Sequence, residues 1–223
     1  MSRATTSITV ACVMAAAVTL SACSISTTPS APPSQSTNPS TASAADAATT
    51  NPYAKLPAVP RLAVTSTSVH DGQQFATPQL SGLFGVPNGQ DQSPQLSWTA
   101  GPAKTKSYVV TMYDADAPTG SGFWHWVVYD IPATTHTLPA GAGALKSTTL
   151  PKSSVQATNN ADMARYLGAA PPKGDQPHHY YLTVTALDTD KLSVAANASP
   201  AMIGFTISSH TLARGDIIAT ARG

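Results

Sequence analysis

Tyr113-Asp114-Ala115-Asp116-Ala117-Pro118, followed at once by Gly122-Phe123-Trp124-His125-Trp126-Val127-Val128, is the stretch on which the fold turns. It sets a proline-stiffened acidic loop against a run of aromatic and β-branched residues, the composition of a loop entering a strand. A second knot, Ala169-Ala170-Pro171-Pro172-Lys173-Gly174 leading to His178-His179-Tyr180, repeats the arrangement. In both, acidic or imidazole groups stand where loop and strand meet, which is how the rim of a pocket is built.

Outward from these knots the pattern is that of strands. Leu62 to Val69, Gln95 to Trp98, Lys106 to Tyr113, Trp124 to Ile131 and Tyr180 to Leu187 are short runs rich in Val, Thr, Tyr and Trp, bounded by Gly, Pro, Asn or Asp. Their spacing predicts a mostly β, antiparallel sandwich with few short helices. Met202, Phe205 and Leu212 fall at near-helical spacing within Pro200 to Leu212, and Ile217 to Thr220 reads as a closing strand.

The chemistry of the knots follows from their residue types. Holding an anion without a metal requires several donors converging in a shielded place, and imidazole, tyrosyl hydroxyl and backbone N–H serve. His125 is one such donor, and Asp114 near it would fix the ring's tautomer and raise its basicity. His178 and Tyr180, two apart in a strand, point to one face and His179 to the other. The Pro171-Pro172 turn, preceded by small Gly168, Ala169 and Ala170, would let backbone N–H groups approach an oxyanion. The expected result is a small polar cup with aromatic walls from Phe123 and Trp124. For each residue there is a plainer role: a packed strand histidine for His125, a turn residue for His178, turn capping beside Pro118 for Asp114 and Asp116.

The motifs D-x-D-A-P from Asp114, W-H-W-V-V-x-x-I-P from Trp124 and P-P-K-G-x-x-x-H-x-Y from Pro171 resemble those of the phosphatidylethanolamine-binding protein family, in particular its bacterial Raf-kinase-inhibitor-like branch. The resemblance runs from about Leu80 to the end of the chain. It implies a large central antiparallel sheet packed on a smaller one. It also implies that Asp114, His125, Pro172, His178 and Tyr180 occupy ligand-site positions for phosphate-like, sulfate-like or carboxylate groups, with Asp116 and Pro118 shaping the neighbouring loop. Phe123, Trp124, Ala170 and Pro171 complete the expected pocket. The chain departs from the pattern at Asn159 to Leu167, where Arg165 and Leu167 replace glycines and Asn160 an acid, so this loop is expected to narrow the cup or add a guanidinium to it.

The N-terminus concerns location. Arg3 is the only charge ahead of an apolar run from Ile8 to Leu20, too short for a membrane span and suited to a signal-peptide core. It ends in Leu20-Ser21-Ala22-Cys23, which resembles a lipobox. Residues 1–22 are expected to be a lipoprotein signal and Cys23 the acylated first mature residue, carrying diacylglycerol and a further chain such as palmitate, because one chain holds weakly. The plainer alternative is an ordinary secretory signal with an incidental cysteine. The other cysteine, Cys12, lies inside the signal core, so cysteine nucleophiles, thiolate metal sites and disulfides are excluded from the mature protein. Residues 23–60, rich in Ser, Thr, Ala and Pro, are expected to be a disordered tether. Residues 61–223 are of ordinary single-domain length. A formal net charge of +1 and 10% charged residues leave no basic stripe, so nucleic acid is not an expected partner.

These observations predict a binding protein, lipid-anchored on the outer face of a bacterial cell membrane, whose cup takes a phosphate-bearing small molecule or phospholipid headgroup without turnover, cofactor or metal. An inhibitor or regulator of a serine protease or kinase, acting through surface loops, is the alternative. A hydrolase is the weaker one, because G-x-S-x-G and H-E-x-x-H are absent and no serine is placed beside a base.

Overall fold

The computed structural model describes residues 51–223. The expected signal segment, Cys23 and most of the expected tether lie outside the described residues. Among the described residues, eight strands form two antiparallel sheets. The smaller sheet orders β1 (Val64–Thr65), β2 (Leu96–Trp98) and β5 (Thr137–Leu138). The larger runs β6 (Val155–Gln156), β4 (Phe123–Pro132), β3 (Ser107–Asp114), β7 (His178–Leu187) and β8 (Thr211–Ala221). An α-helix, α1 (Pro200–Ser208), connects β7 to β8. No helix among the described residues is long and apolar enough to cross a membrane.

The large sheet is covered on both faces, which is why β3, β4 and β7 are buried almost without interruption. One face of its central strand β3 carries Tyr108, Val110 and Met112 into the main core with Trp98, Trp126, Leu182 and Val184. The other carries Val109 into a second core with Val127, Leu187, Leu192 and Ile203, so that α1 lies on the side opposite the small sheet.

Several boundaries differ from the sequence reading, each for a local reason. Leu62 to Val69 pairs only at Val64 and Thr65, because the Ser66 hydroxyl accepts from the backbone N–H groups of Ser68 (3.0 Å) and Val69 (3.1 Å) and donates to the Gln95 carbonyl, competing with the ladder. The helix stops at Ser208 rather than Leu212. Ser199 caps its start by accepting from the Met202 N–H (3.2 Å), while Thr206, Ser208 and Ser209 donate back to carbonyls of the preceding turn. The chain released there begins β8 at Thr211, six residues earlier than expected, with Ala213, Gly215, Ile217, Ala219 and Ala221 inward. Residues 51–60, assigned by composition to the tether, pack on the domain. Tyr53 meets the edge of the Tyr181 ring at 6.1 Å and lies under the Arg214 guanidinium at 5.0 Å, and the Arg214 N–H donates to Pro60 O.

Along β4 the pairing with β3 slips twice. Met112 opposes Trp126 and Tyr113 opposes Trp124, leaving His125 as an extra, bulged residue. Tyr108 opposes Ile131 and Val110 opposes Val128, and here Asp130 turns through a positive φ of 57°. Its carboxylate then accepts from the Leu192 N–H (2.9 Å) and meets Lys191 Nζ at 3.4 Å.

Candidate functional site

The strand order places β3 between β4 and β7, so the C-terminal end of β3 sits between the two histidine-bearing strands. Asp114, the last residue of β3, pairs with Phe123 on one side and Tyr180 on the other. Its carboxylate is buried, with Oδ2 2.9 Å from His178 Nδ1 and 3.9 Å from His125 Nε2. Oδ1 accepts from the Asp116 N–H at 3.0 Å. Asp114 therefore holds His178 directly, not His125 as the sequence reading placed it.

His125 is oriented by a backbone group. Its Nδ1 lies 3.1 Å from the Leu167 carbonyl oxygen, which can only accept, so Nδ1 carries the proton and Nε2 is left as an acceptor. The bulge lets this ring turn to the same face as Trp126. Burial drives its pKa down to about 4, against the opposing pull of Asp114 and the Leu167 carbonyl, so the ring is neutral through the physiological range. Two acceptors, Asp114 Oδ2 and His125 Nε2, thus face each other across 3.9 Å. The second nitrogen of His178 faces Asp175 Oδ2 at 3.5 Å.

Asp114, His125 and His178 line a cleft of about 220 Å³ together with Pro118, Phe123, Ala170, Pro171 and Pro172. Phe123 lies 4.8 Å from His125, ring to ring. Tyr180 forms the floor behind both histidines, 5.3 Å from His125 and 6.5 Å from His178, and is fully buried. Burial, reinforced by the Asp114 charge, raises its pKa, so it stays a neutral phenol.

Other expected residues take different places. Trp124 does not wall the cleft. Strand alternation puts it on the face opposite Phe123 and His125, its ring tilted by 50° against Tyr113 at 4.6 Å. Asp116 faces away and grips His179 through the ring (2.7 Å) and the backbone N–H (2.6 Å). Pro171 and Pro172 form an apolar wall but have no N–H to offer an oxyanion. Gly168 is small for a different reason than ligand approach: a Cβ there would stand 2.3 Å from the Leu80 carbonyl carbon, where Leu80 and Ala169 bridge. The Asn159 to Leu167 loop adds no guanidinium to the cleft, since Arg165 Nε donates to the Tyr166 carbonyl. Instead it clamps β4: Asn160 Oδ1 accepts from the Trp124 N–H (2.7 Å) and the Leu167 N–H donates to the His125 carbonyl (3.1 Å).

Two contributors were missed. Phe84, half exposed in the Gly82–Gly85 turn, forms part of the cleft mouth; its signal is an apolar pair, Leu83-Phe84, between glycines. Asp91 is buried and accepts from Ser81 Oγ (2.7 Å), the Leu83 N–H (2.9 Å) and the Gly168 N–H (2.8 Å), joining the Phe84 turn to the Ala170 wall. No cluster of three or more His, Cys, Asp or Glu groups suited to a metal ion occurs among the described residues.

A family model described as phosphatidylethanolamine-binding protein matches residues 65–222. The UPF0098 protein YbcL of Escherichia coli K12 is 46% identical over 154 residues, covering 69% of this chain and 84% of YbcL. The UPF0098 protein YbhB of the same organism is 44% identical over 154 residues, covering 69% and 96%. The crystal structure of E. coli YbcL, described as a member of the mammalian PEBP family, superposes with a TM-score of 0.70 at 43% identity over 73% of this chain and 99% of that one.

Proposed function

The chain belongs to the phosphatidylethanolamine-binding protein family, and we propose that it is a binding protein whose cleft holds a phosphate group that also brings a proton donor. The observation carrying this reading is the pair of acceptors, Asp114 Oδ2 and His125 Nε2, facing each other across 3.9 Å beside His178. Oδ2 accepts from His178 and keeps a second lone pair, so that it and His125 Nε2 together favour a ligand that brings a donor. Asp114 holds His178 at Nδ1, so Nε2 on the far side of the ring is the nitrogen presented to a ligand oxygen. A monoprotonated phosphate supplies both oxygen and donor, and so does phosphoethanolamine through its ammonium. Sulfate is fully deprotonated near neutral pH and supplies no donor. The cup thus differs from a plain anion site, in which two imidazoliums would converge. No group in it is arranged as an activated nucleophile, which supports binding without turnover.

The protein's place follows from the Cys23 reading: we propose lipid anchoring on the outer face of the membrane.

Calorimetric titration with methyl phosphate, phosphoethanolamine and sulfate tests the cup. A phosphomonoester with a second pKa of about 6 loses its proton donor between pH 6 and 8, so methyl phosphate affinity should fall at least about tenfold over that range. Phosphoethanolamine should fall less, and sulfate should bind weakly throughout. Sulfate binding as tightly as methyl phosphate at pH 6, or undiminished phosphate binding by His178→Ala, would falsify the reading.

A further inference from the structure

Behind the central sheet, on the face away from the cup, lies a cavity of about 420 Å³, within the size range of small-molecule sites. Its floor is the sheet at Thr111, one wall is the Trp124 indole, and its roof is α1 at Gly204 and Phe205. The far end is closed by Tyr53 and Arg214.

Three features mark it as more than a packing gap. Arg214 is partly buried, so its charge is held at a desolvation cost that lowers its pKa. The acid beside it on β8, Asp216, is engaged by Arg61 at 3.4 Å, and Arg214 makes no carboxylate ion pair among the described residues. Arg214 feels the Asp216 charge only through space, and its direct partner is the π face of Tyr53, 5.0 Å away. A guanidinium fixed in this way has its hydrogen-bonding edge free of any carboxylate among the described residues and can receive an anion there. The second feature is Gly204. Glycine weakens a helix interior relative to alanine, yet a Cβ here would meet the Trp124 ring only at 3.9 Å, an ordinary contact. The glycine therefore relieves no clash and keeps the space above the indole open. The third is Phe205, 75% exposed at the cavity's mouth, an apolar ring left in water unless something covers it.

We propose that this cavity is a second ligand site, for an amphipathic organic anion: a flat apolar body between Trp124 and α1, and a carboxylate or sulfonate on Arg214. The pairing of a cation that has no direct carboxylate partner with aromatic walls selects that class over inorganic anions, which gain nothing from the walls, and over neutral apolar compounds, which offer the guanidinium nothing. The site is independent of the cup, since the sheet separates them and no side chain is shared.

The test is calorimetric titration of the full chain with naphthalene-2-sulfonate. Wild type should bind one equivalent. Arg214→Gln should weaken binding at least tenfold, and Gly204→Leu, which fills the space over Trp124, should remove it. His178→Ala and saturating inorganic phosphate should leave it unchanged, so failure here and failure of the cup are read separately. The proposal is overturned by no binding to wild type, by wild-type affinity in Gly204→Leu, by displacement with phosphate, or by equally tight binding of neutral 2-naphthylmethanol. Should Arg214→Gln disturb the Tyr53 segment, Gly204→Leu still decides, because it adds a side chain to the helix and removes none.

Discussion

Lowering the pH should destabilise the domain through His125, and the magnitude follows from its burial. The ring is 4% exposed and donates to the Leu167 carbonyl, and its pKa in the folded state is about 4 instead of 6.5. Between those values the unfolded chain takes up a proton that the folded protein refuses. Stability from this group is therefore complete above pH 6.5 and is lost as the pH falls to 4. A difference of about 2.5 units corresponds to about 3 kcal/mol, taken as an order of magnitude. Carboxylates elsewhere also titrate in this range, so the measurement is a difference. His125→Asn keeps an N–H near the position of Nδ1 but has no titrating group. Urea unfolding of wild type and variant at pH 7 and pH 4 should show the wild-type advantage shrinking by about 3 kcal/mol. An advantage that stays constant to within about 0.5 kcal/mol, or an imidazole resonance of His125 that titrates near pH 6.5, would mean that the ring is solvated and free to charge, and the acceptor pair in the cup would fall with it.

Asp91→Ala leaves the Ser81 hydroxyl and the Leu83 and Gly168 N–H groups without their shared acceptor, and should lower unfolding free energy by about 3 kcal/mol or more; an unchanged urea midpoint would show that water replaces the carboxylate. Because the same side chain joins the Phe84 turn to the Ala170 wall, the variant should also bind methyl phosphate more weakly at a temperature where it remains folded. Cys23→Ala should abolish partition into the detergent phase. Equal membrane partition of a correctly processed variant would defeat the anchor.

The long strands were legible because a sheet covered on both faces demands dense Val, Tyr and Trp runs, and few other structures do. The two-residue strands β5 and β6 carry too little pattern to stand out, and Leu62 to Val69 read as one strand because the Ser66 hydroxyl's competition for backbone groups leaves no mark on hydrophobic alternation. In the cleft, Asp114, His125 and His178 are read together from their motifs, and topology then brings their strands side by side. What the sequence hid was direction. Period-two counting sets Trp124 and Trp126 on one face, and only the register slip at His125 parts them. Asp91 was invisible for another reason, since its three partners lie up to 77 residues away and nothing local distinguishes it from a turn aspartate.

The bulge at His125 carries a consequence for how this protein can change. It acts as a frame shift in the strand: residues up to Trp124 are dealt to the two faces in one phase, and those from Trp126 in the other. Removing one residue here would restore a regular ladder yet exchange the faces of Phe123 and Trp124, pulling a wall from the cup and the indole from the cavity behind it in a single step. Sequence drift can therefore alter side chains at either site separately, whereas insertions and deletions in this part of β4 are tolerable only in pairs. Length polymorphism among relatives should accordingly be confined to the loops, and a one-residue gap at this position would mark a chain in which both sites have been rebuilt.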